Sequence, residues 1–140
     1  MRRHIFVDTS AWIDLVDESD RHHREAKAYY EQQIRQMGVE LITSDYIIDE
    51  TLTLIRYRMG MLFAQRFWNS IEQARSQNIL RTIWVGQKAW QEAVALFFRY
   101  ADQRFSFTDC TSFALLSQEP VDAVFSFDRD FVVAGFLTEP

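Results

Sequence analysis

Four acidic residues stand where a fold could turn them into a reagent: Asp8, Glu50, Asp109 and Asp128. Asp8 closes the apolar run Ile5-Phe6-Val7, and Asp128 follows the apolar stretch that begins at Val121. Asp109 lies in the first turn of a helix that leads into that stretch, and Glu50 lies within a helix that follows Leu41-Ile42. Carboxylates gathered without counter-charges repel one another and raise each other's pKa. A divalent cation removes that cost. Mg²⁺ and Mn²⁺ prefer hard oxygen ligands, and Mg²⁺ keeps several of its waters, so a few carboxylates suffice. An ion so held lowers the pKa of a water and neutralises charge on a phosphodiester oxygen. The chemistry is that of hydrolysis by in-line displacement, with no covalent enzyme intermediate.

The acids are far apart in the chain, so the elements between them must bring them together. Ile5-Phe6-Val7 reads as a buried opening strand. Thr9 and Ser10 are good N-caps for a short helix over 11–16. Residues 21–37 are mostly helix formers with Gly38 as a stop, and Glu40-Leu41-Ile42-Thr43 reads as a second strand. Ser44 caps a helix over 45–59, which ends at Gly60. A further helix runs over 61–77 and breaks at Asn78, and a third strand covers 79–85. Helices over 87–101 and 108–118 follow, then a fourth strand over 121–127 and a short fifth over 133–137. Short apolar strands alternating with longer helices predict an α/β fold, a three-layer α/β/α sandwich with a mostly parallel five-stranded sheet. In such sheets the reactive crevice lies beyond the C-terminal ends of the strands. Asp8 and Asp128 end strands there.

Composition bounds the rest. The chain has 140 residues with 15 Lys+Arg, 20 Asp+Glu and a formal net charge of −5. At 48% hydrophobic it can bury a sizeable core, and no repeat or linker divides it, so a single domain over 1–140 is expected. The acidic balance argues against a coat protein that binds nucleic acid through a basic face. With 4 Gly there is no glycine-rich phosphate loop, and the lone Cys110 excludes a disulfide or multi-cysteine zinc site within the chain. The longest apolar run, Ala93 to Phe98, falls far short of the roughly 20 residues of a membrane span. A cytoplasmic location is expected.

The residues also carry a family resemblance. Phe6-Val7-Asp8-Thr9-Ser10-Ala11 resembles the opening of a PIN domain. The segments Thr43 to Leu52, Phe107 to Ala114 and Phe125 to Phe131 resemble that family's second, third and fourth acidic motifs, in family order. The length is similar to that of the VapC-type toxin branch. The resemblance implies a Mg²⁺- or Mn²⁺-dependent endoribonuclease, the toxin of a toxin–antitoxin pair, blocked by a small antitoxin and forming a homodimer. By position, Asp8, Glu50, Asp109 and Asp128 become its acidic quartet: Asp8 and Asp109 bind metal, and Glu50 binds metal or orients the attacking water. Asp130 could share or replace the role of Asp128. Thr9, Ser10 and Ser126 could hydrogen-bond a carboxylate or phosphate.

Each motif has a purely structural reading beside the chemical one. Asp8-Thr9-Ser10 can be a strand end and helix cap, and Ser106-Phe107-Thr108-Asp109 has the form of a capping box. Asp128-Arg129-Asp130 can be a turn with a local ion pair. The coincidence of four motifs in one order favours the chemical reading. His22 and His23 cannot face one ion from one helix and read as surface residues; His4 has no evident partner, and Cys110 reads as a small buried residue. Phe63, Phe67, Trp68, Trp90, Phe97 and Phe98 read as core, some as an interface; Arg56, Arg58 and Arg66 could meet a phosphate backbone but read as solvated. Two other uses of the fold remain. A receiver-type phosphoacceptor would need a lysine late in the chain, and the last is Lys88. A non-catalytic RNA- or protein-binding module would leave the four acids without a task.

Overall fold

The computed structural model describes residues 2–35 and 38–140. In chain order the elements are β1 (Arg3–Val7), α1 (Thr9–Val16), α2 (His23–Arg35), β2 (Val39–Ser44), α3 (Asp45–Met59) and α4 (Met61–Ser76). There follow β3 (Leu80–Ile83), α5 (Gln87–Arg99), α6 (Phe107–Gln118), β4 (Ala123–Phe125), α7 (Asp130–Val133) and β5 (Thr138–Glu139). The five strands form one all-parallel sheet in the order β3-β2-β1-β4-β5. Parallel strands require crossovers, and the right-handed rule sends those between β1 and β3 over one face and those between β3 and β5 over the other. The order therefore reverses between β1 and β4, which makes that pair the switch point of the sheet.

The centre of the sheet is dry. Ile5, Phe6, Val7, Leu41, Ile42, Val124 and Phe125 are fully buried or nearly so. Layers on both faces explain why these strands are apolar at successive positions rather than alternating. Trp12 of α1 packs edge-on against Phe67 of α4 and donates from Nε1 to Thr43 Oγ1. Helix α6 is enclosed from Asp109 to Leu116. At the far end of the sheet Glu139 joins β5 to β1 and α2 by accepting from Arg3 and from the Tyr29 hydroxyl, 2.6 Å away.

The helix stops act where their residue types place them. Ser44 Oγ accepts from Ile47 N at 3.1 Å, and Gly60 ends α3 at φ +97°, a conformation that favours glycine. Asn78, the one non-glycine among the described residues with positive φ, turns the chain at φ +59° before β3. The end of α2 expected at 36–37 lies outside the described residues.

Several expectations are corrected. The fifth strand is Thr138–Glu139, not 133–137. Phe131 is buried completely, and its anchoring winds Asp130–Val133 into a short helix that delays the strand. β3 and β4 are shorter than expected because only the paired residues have a strand neighbour. Of the aromatic residues read as core, Phe67 alone is buried; Phe63, Trp68, Trp90, Phe97 and Phe98 are exposed. His4 does have partners, lying 3.5 Å from Glu40 and 3.9 Å from Asp122.

Phe125 lies on the buried strand beside β1, with its ring edge-on to Tyr29. Phe125→Ala is expected to destabilise the fold by about 3–5 kcal/mol. Tyr57→Ala, on an exposed stretch of α3, is expected to cost no more than about 0.5 kcal/mol. Urea unfolding of the two variants checks the contrast.

Candidate active site

The site begins with strand register. Val7 pairs with Phe125 across the switch point, and Asp8 N donates to Phe125 O at 3.1 Å, which carries the ladder one step beyond the strands. Asp8 and Ser126, each the next residue along, therefore emerge side by side. Ser126 Oγ donates to Asp8 Oδ2 at 3.0 Å, and Ser10 Oγ, from the first turn of α1, lies 3.1 Å from the same oxygen. The two hydroxyls are also 3.1 Å apart. Each hydroxyl has one proton, so two of these three contacts carry a proton at any moment. The same hydroxyls accept from the backbone beyond β4: Ser126 Oγ from Asp128 N at 3.0 Å, and Ser10 Oγ from Phe127 N at 3.2 Å. One Asp8 oxygen is thus clamped to the turn that carries Asp128, while none of these contacts engages Oδ1.

Asp8 occupies the N-cap position of α1, in place of the Thr9 or Ser10 expected there, but its side chain makes no capping bond. The hydroxyl clamp takes it instead. Asp109 does both jobs. Ser106 Oγ accepts from Asp109 N, and Asp109 Oδ2 accepts from Ser106 N, each at 3.0 Å, so the capping box read from the sequence is formed. The box fixes the rotamer that brings Asp109 to the acids. Asp109, Asp128 and Asp130 each offer a carboxylate oxygen, and the three oxygens lie within 4.8 Å of one another. Asp130 N donates to Asp128 Oδ1 at 2.9 Å, which folds the second acid back beside the first. The sequence left Asp128 and Asp130 as alternatives; the fold brings both in.

Asp8, Thr9, Ser10, Glu50, Asp109 and Asp128 line one cavity of about 420 Å³. Asp14, Asp20, Arg21 and His22 line it as well, and the sequence reading missed them as site residues; Arg58, weighed as a phosphate contact but read as solvated, lines it too. Helical spacing could have found two. Asp14 lies four residues after Ser10, and Arg58 eight after Glu50 with Leu54 between, each series on one helix face. Asp20, Arg21 and His22 arrive on the loop after α1, whose path no periodicity reports. His22, read as a surface residue, is half-buried and stacks on Phe127.

Burial sets the electrostatics. Asp8 is 3% exposed, and desolvation pushes its carboxyl up to about 6 against the pull of Ser126, the Thr9 amide and Ser10. Desolvation and the charges of Asp8, Asp128 and Asp130 raise Asp109 to about 7, although its bond from the Ser106 amide favours the ionised form. Burial and a hydrogen bond to Asp20 raise Asp14 to about 7. Burial and the charge of Asp128 move Asp130 upward too.

These residues fit a hard divalent cation. Carboxylate oxygens of Asp109, Asp128 and Asp130 come from two separate segments and lie close enough to share an ion; Asp8 and Glu50 are not in that group of three but line the same cavity. The buried Thr9 Oγ1, which lacks a hydrogen-bond partner in the protein, belongs to a residue lining the same cavity.

Comparison with known proteins shows the family and the fold. The family model described as "PIN domain" matches residues 5–137. The chain belongs to the PIN domain family. It is 30% identical over 133 residues to the 23S rRNA-specific endonuclease VapC20 of Mycobacterium tuberculosis, covering 95% of each chain. A VapC ribonuclease of Archaeoglobus fulgidus is 26% identical over 126 residues, 89% of this chain and 77% of that protein. The crystal structure of M. tuberculosis VapC20, described as a Sarcin-Ricin loop cleaving toxin, superposes with a TM-score of 0.84 at 29% identity, over 96% of this chain and 98% of that one. The VapBC2 structure of Rickettsia felis, bound to a DNA fragment from its promoter, shares the fold at a TM-score of 0.67 and 9% identity, over 96% of each chain. The five-stranded parallel PIN-like fold is as the sequence motifs implied.

The raised carboxyls make stability depend on pH. A folded-state pKa above the unfolded value of about 3.8 means that the folded chain holds its protons more tightly. That stabilisation is complete below pH ~4 and is lost as pH rises through about 6 to 7. In EDTA the melting temperature is expected to fall between pH ~5 and ~8, and Asp109→Asn is expected to flatten the fall. Thermal melts across that range check it.

Proposed function

We propose that this chain is an endoribonuclease of the VapC toxin type, hydrolysing RNA phosphodiester bonds with Mg²⁺ or Mn²⁺. The observation that carries the reading is the gathering of the Asp109, Asp128 and Asp130 carboxylates beside the buried, hydroxyl-clamped Asp8 at the switch point of a PIN-domain sheet. In this reading Asp8 and Asp109 are the principal metal ligands, joined by Asp128 or Asp130. Glu50, on α3 and lining the same cavity, binds the ion or takes the proton of the attacking water. When bound, the ion supplies Lewis-acid chemistry, neutralising charge on the phosphodiester and easing ionisation of a water.

The residues of the chain do the positioning. Ser10 and Ser126 hold one Asp8 oxygen and so fix the orientation of the carboxylate, which lines the cavity. The capping box likewise fixes the Asp109 carboxylate. Reactants held in register in this way contribute to rate through orientation as well as charge. Ribosomal RNA is the first substrate to test, given the names of VapC20. A small antitoxin that covers the cavity is the partner, and the cytoplasm is where such an enzyme would meet both. Among the described residues no helix is long and apolar enough to cross a membrane. A homodimer would use the exposed aromatic residues Trp90, Phe97 and Phe98 of α5.

The test is cleavage of a mixed pool of tRNA, rRNA and mRNA. Cleavage is expected with Mg²⁺, to stop with EDTA and to return with Mn²⁺. Asp8→Asn is expected to lose activity beyond the roughly 10–100-fold that removal of a residue orienting a metal ligand costs, and Ser126→Ala to fall within that range. Both variants should melt cooperatively. Full activity of Asp8→Asn would refute the assignment. Light scattering tests the dimer: Phe98→Asp is expected to give a monomer where the native chain gives a dimer.

A further inference from the structure

A metal ion and the arginines of the cavity can hold a phosphate, but charge alone does not fix the base beside it. The loop between α1 and α2 carries a ring suited to that. The His22 imidazole lies flat on the Phe127 ring, with centroids 4.5 Å apart and planes 16° from parallel. Phe127 immediately precedes Asp128, and the turn that carries both is fixed by the Ser10 and Ser126 hydroxyls. His22 is held as firmly. Its amide donates to Asp20 Oδ1 at 2.8 Å, and Arg21 Nε donates to its Nε2 at 3.2 Å. The neighbouring His23 Nδ1 lies 2.9 Å from Asp14 O, and its amide donates to Asp20 O, pinning the loop to the end of α1. His22 is half-buried and lines the cavity that holds Asp8, Asp109 and Asp128.

We propose that the His22–Phe127 stack is a platform on which an unpaired RNA base, next to the phosphodiester held at the acids, continues the stack. Phe127 backs one face of the imidazole, so a base would take the other. A paired base cannot offer its face, whereas a splayed single-stranded one can, and stacking of this kind tolerates sequence because every base has a π-face. Arg58 and Arg21, in the same cavity, supply the positive charge that positions adjoining phosphates. The platform thus selects single-stranded or loop RNA. It rests on the nuclease reading above, but makes a separate demand on one residue outside the acidic cluster.

The test is a double-mutant cycle on binding. A fluorescent oligoadenylate and the same ribose-phosphate chain without bases are titrated into the native protein, His22→Ala and His22→Phe in Ca²⁺, and affinity is read by anisotropy. Removal of the bases is expected to weaken native binding about 5- to 100-fold, the range of base–aromatic stacking. His22→Ala is expected to weaken oligoadenylate binding similarly, with little further loss when the bases are also absent. His22→Phe is expected to restore affinity, which separates stacking from any role of the ring nitrogens. Equal binding of oligoadenylate by the native chain and His22→Ala would overturn the platform, as would losses that multiply or failure of the phenylalanine to rescue. If the native chain cleaves the RNA pool yet shows no preference for the oligonucleotide with bases, the platform fails and the nuclease reading stands. If it neither binds nor cleaves RNA, both fail.

Discussion

Negative charge crowded into a dry corner is the constraint around which this molecule is arranged. Asp8 and Asp109 are almost wholly withdrawn from water, and Asp128 and Asp130 press on them from the turn after β4. Left alone, such a cluster opposes folding above the pH at which its members ionise. The scaffold tolerates it because the acids are borne at the ends of well-packed elements. Completely buried strand residues stand directly behind Asp8, and an enclosed helix stands behind Asp109. The same tension makes a divalent cation a natural occupant, since a bound ion turns the repulsion into attraction.

Two small polar devices set the orientation of these acids, and both work by holding one oxygen of a carboxylate. At Asp8 the device is a pair of serine hydroxyls from different segments, each also accepting from the backbone of the Phe127–Asp128 turn. At Asp109 it is a capping box, an ordinary helix-starting motif. Structural and chemical readings of the Asp109 motif are therefore not rivals: the cap is how the acid is aimed. At Asp8 they do compete, and the missing capping bond shows which use prevailed.

Much of the scaffold was legible from residue types. Ser44, Gly60, Asn78 and Ser106 mark boundaries because each satisfies or terminates backbone hydrogen bonding locally, and the structure puts them to those uses. Apolar strands between helices implied a buried parallel sheet for the same local reason. The displaced fifth strand was not legible, because the segment 133–137 is apolar enough for a strand while its fate depends on Phe131 finding a distant pocket. Nor was the exposure of Trp90 and Phe98, since spacing identifies an apolar face without saying what covers it.

By itself, the order of the residues determined that Asp8 and Asp128 would follow short apolar strands, that Asp109 would begin a helix and Glu50 lie within one, in the pattern of a PIN domain, and that serines would stand within two residues of Asp8 and Asp128. Those are properties of neighbours in the chain, governed by local geometry. Only the tertiary structure decided that Val7 would pair with Phe125, which places Asp8 against Ser126 across 118 positions of sequence. It alone admitted Asp130 to the cluster with Asp128, and it alone laid His22 on Phe127 beside the acids. Strand register and loop path come from the packing of the whole sheet and its helices, and no window of sequence contains that information.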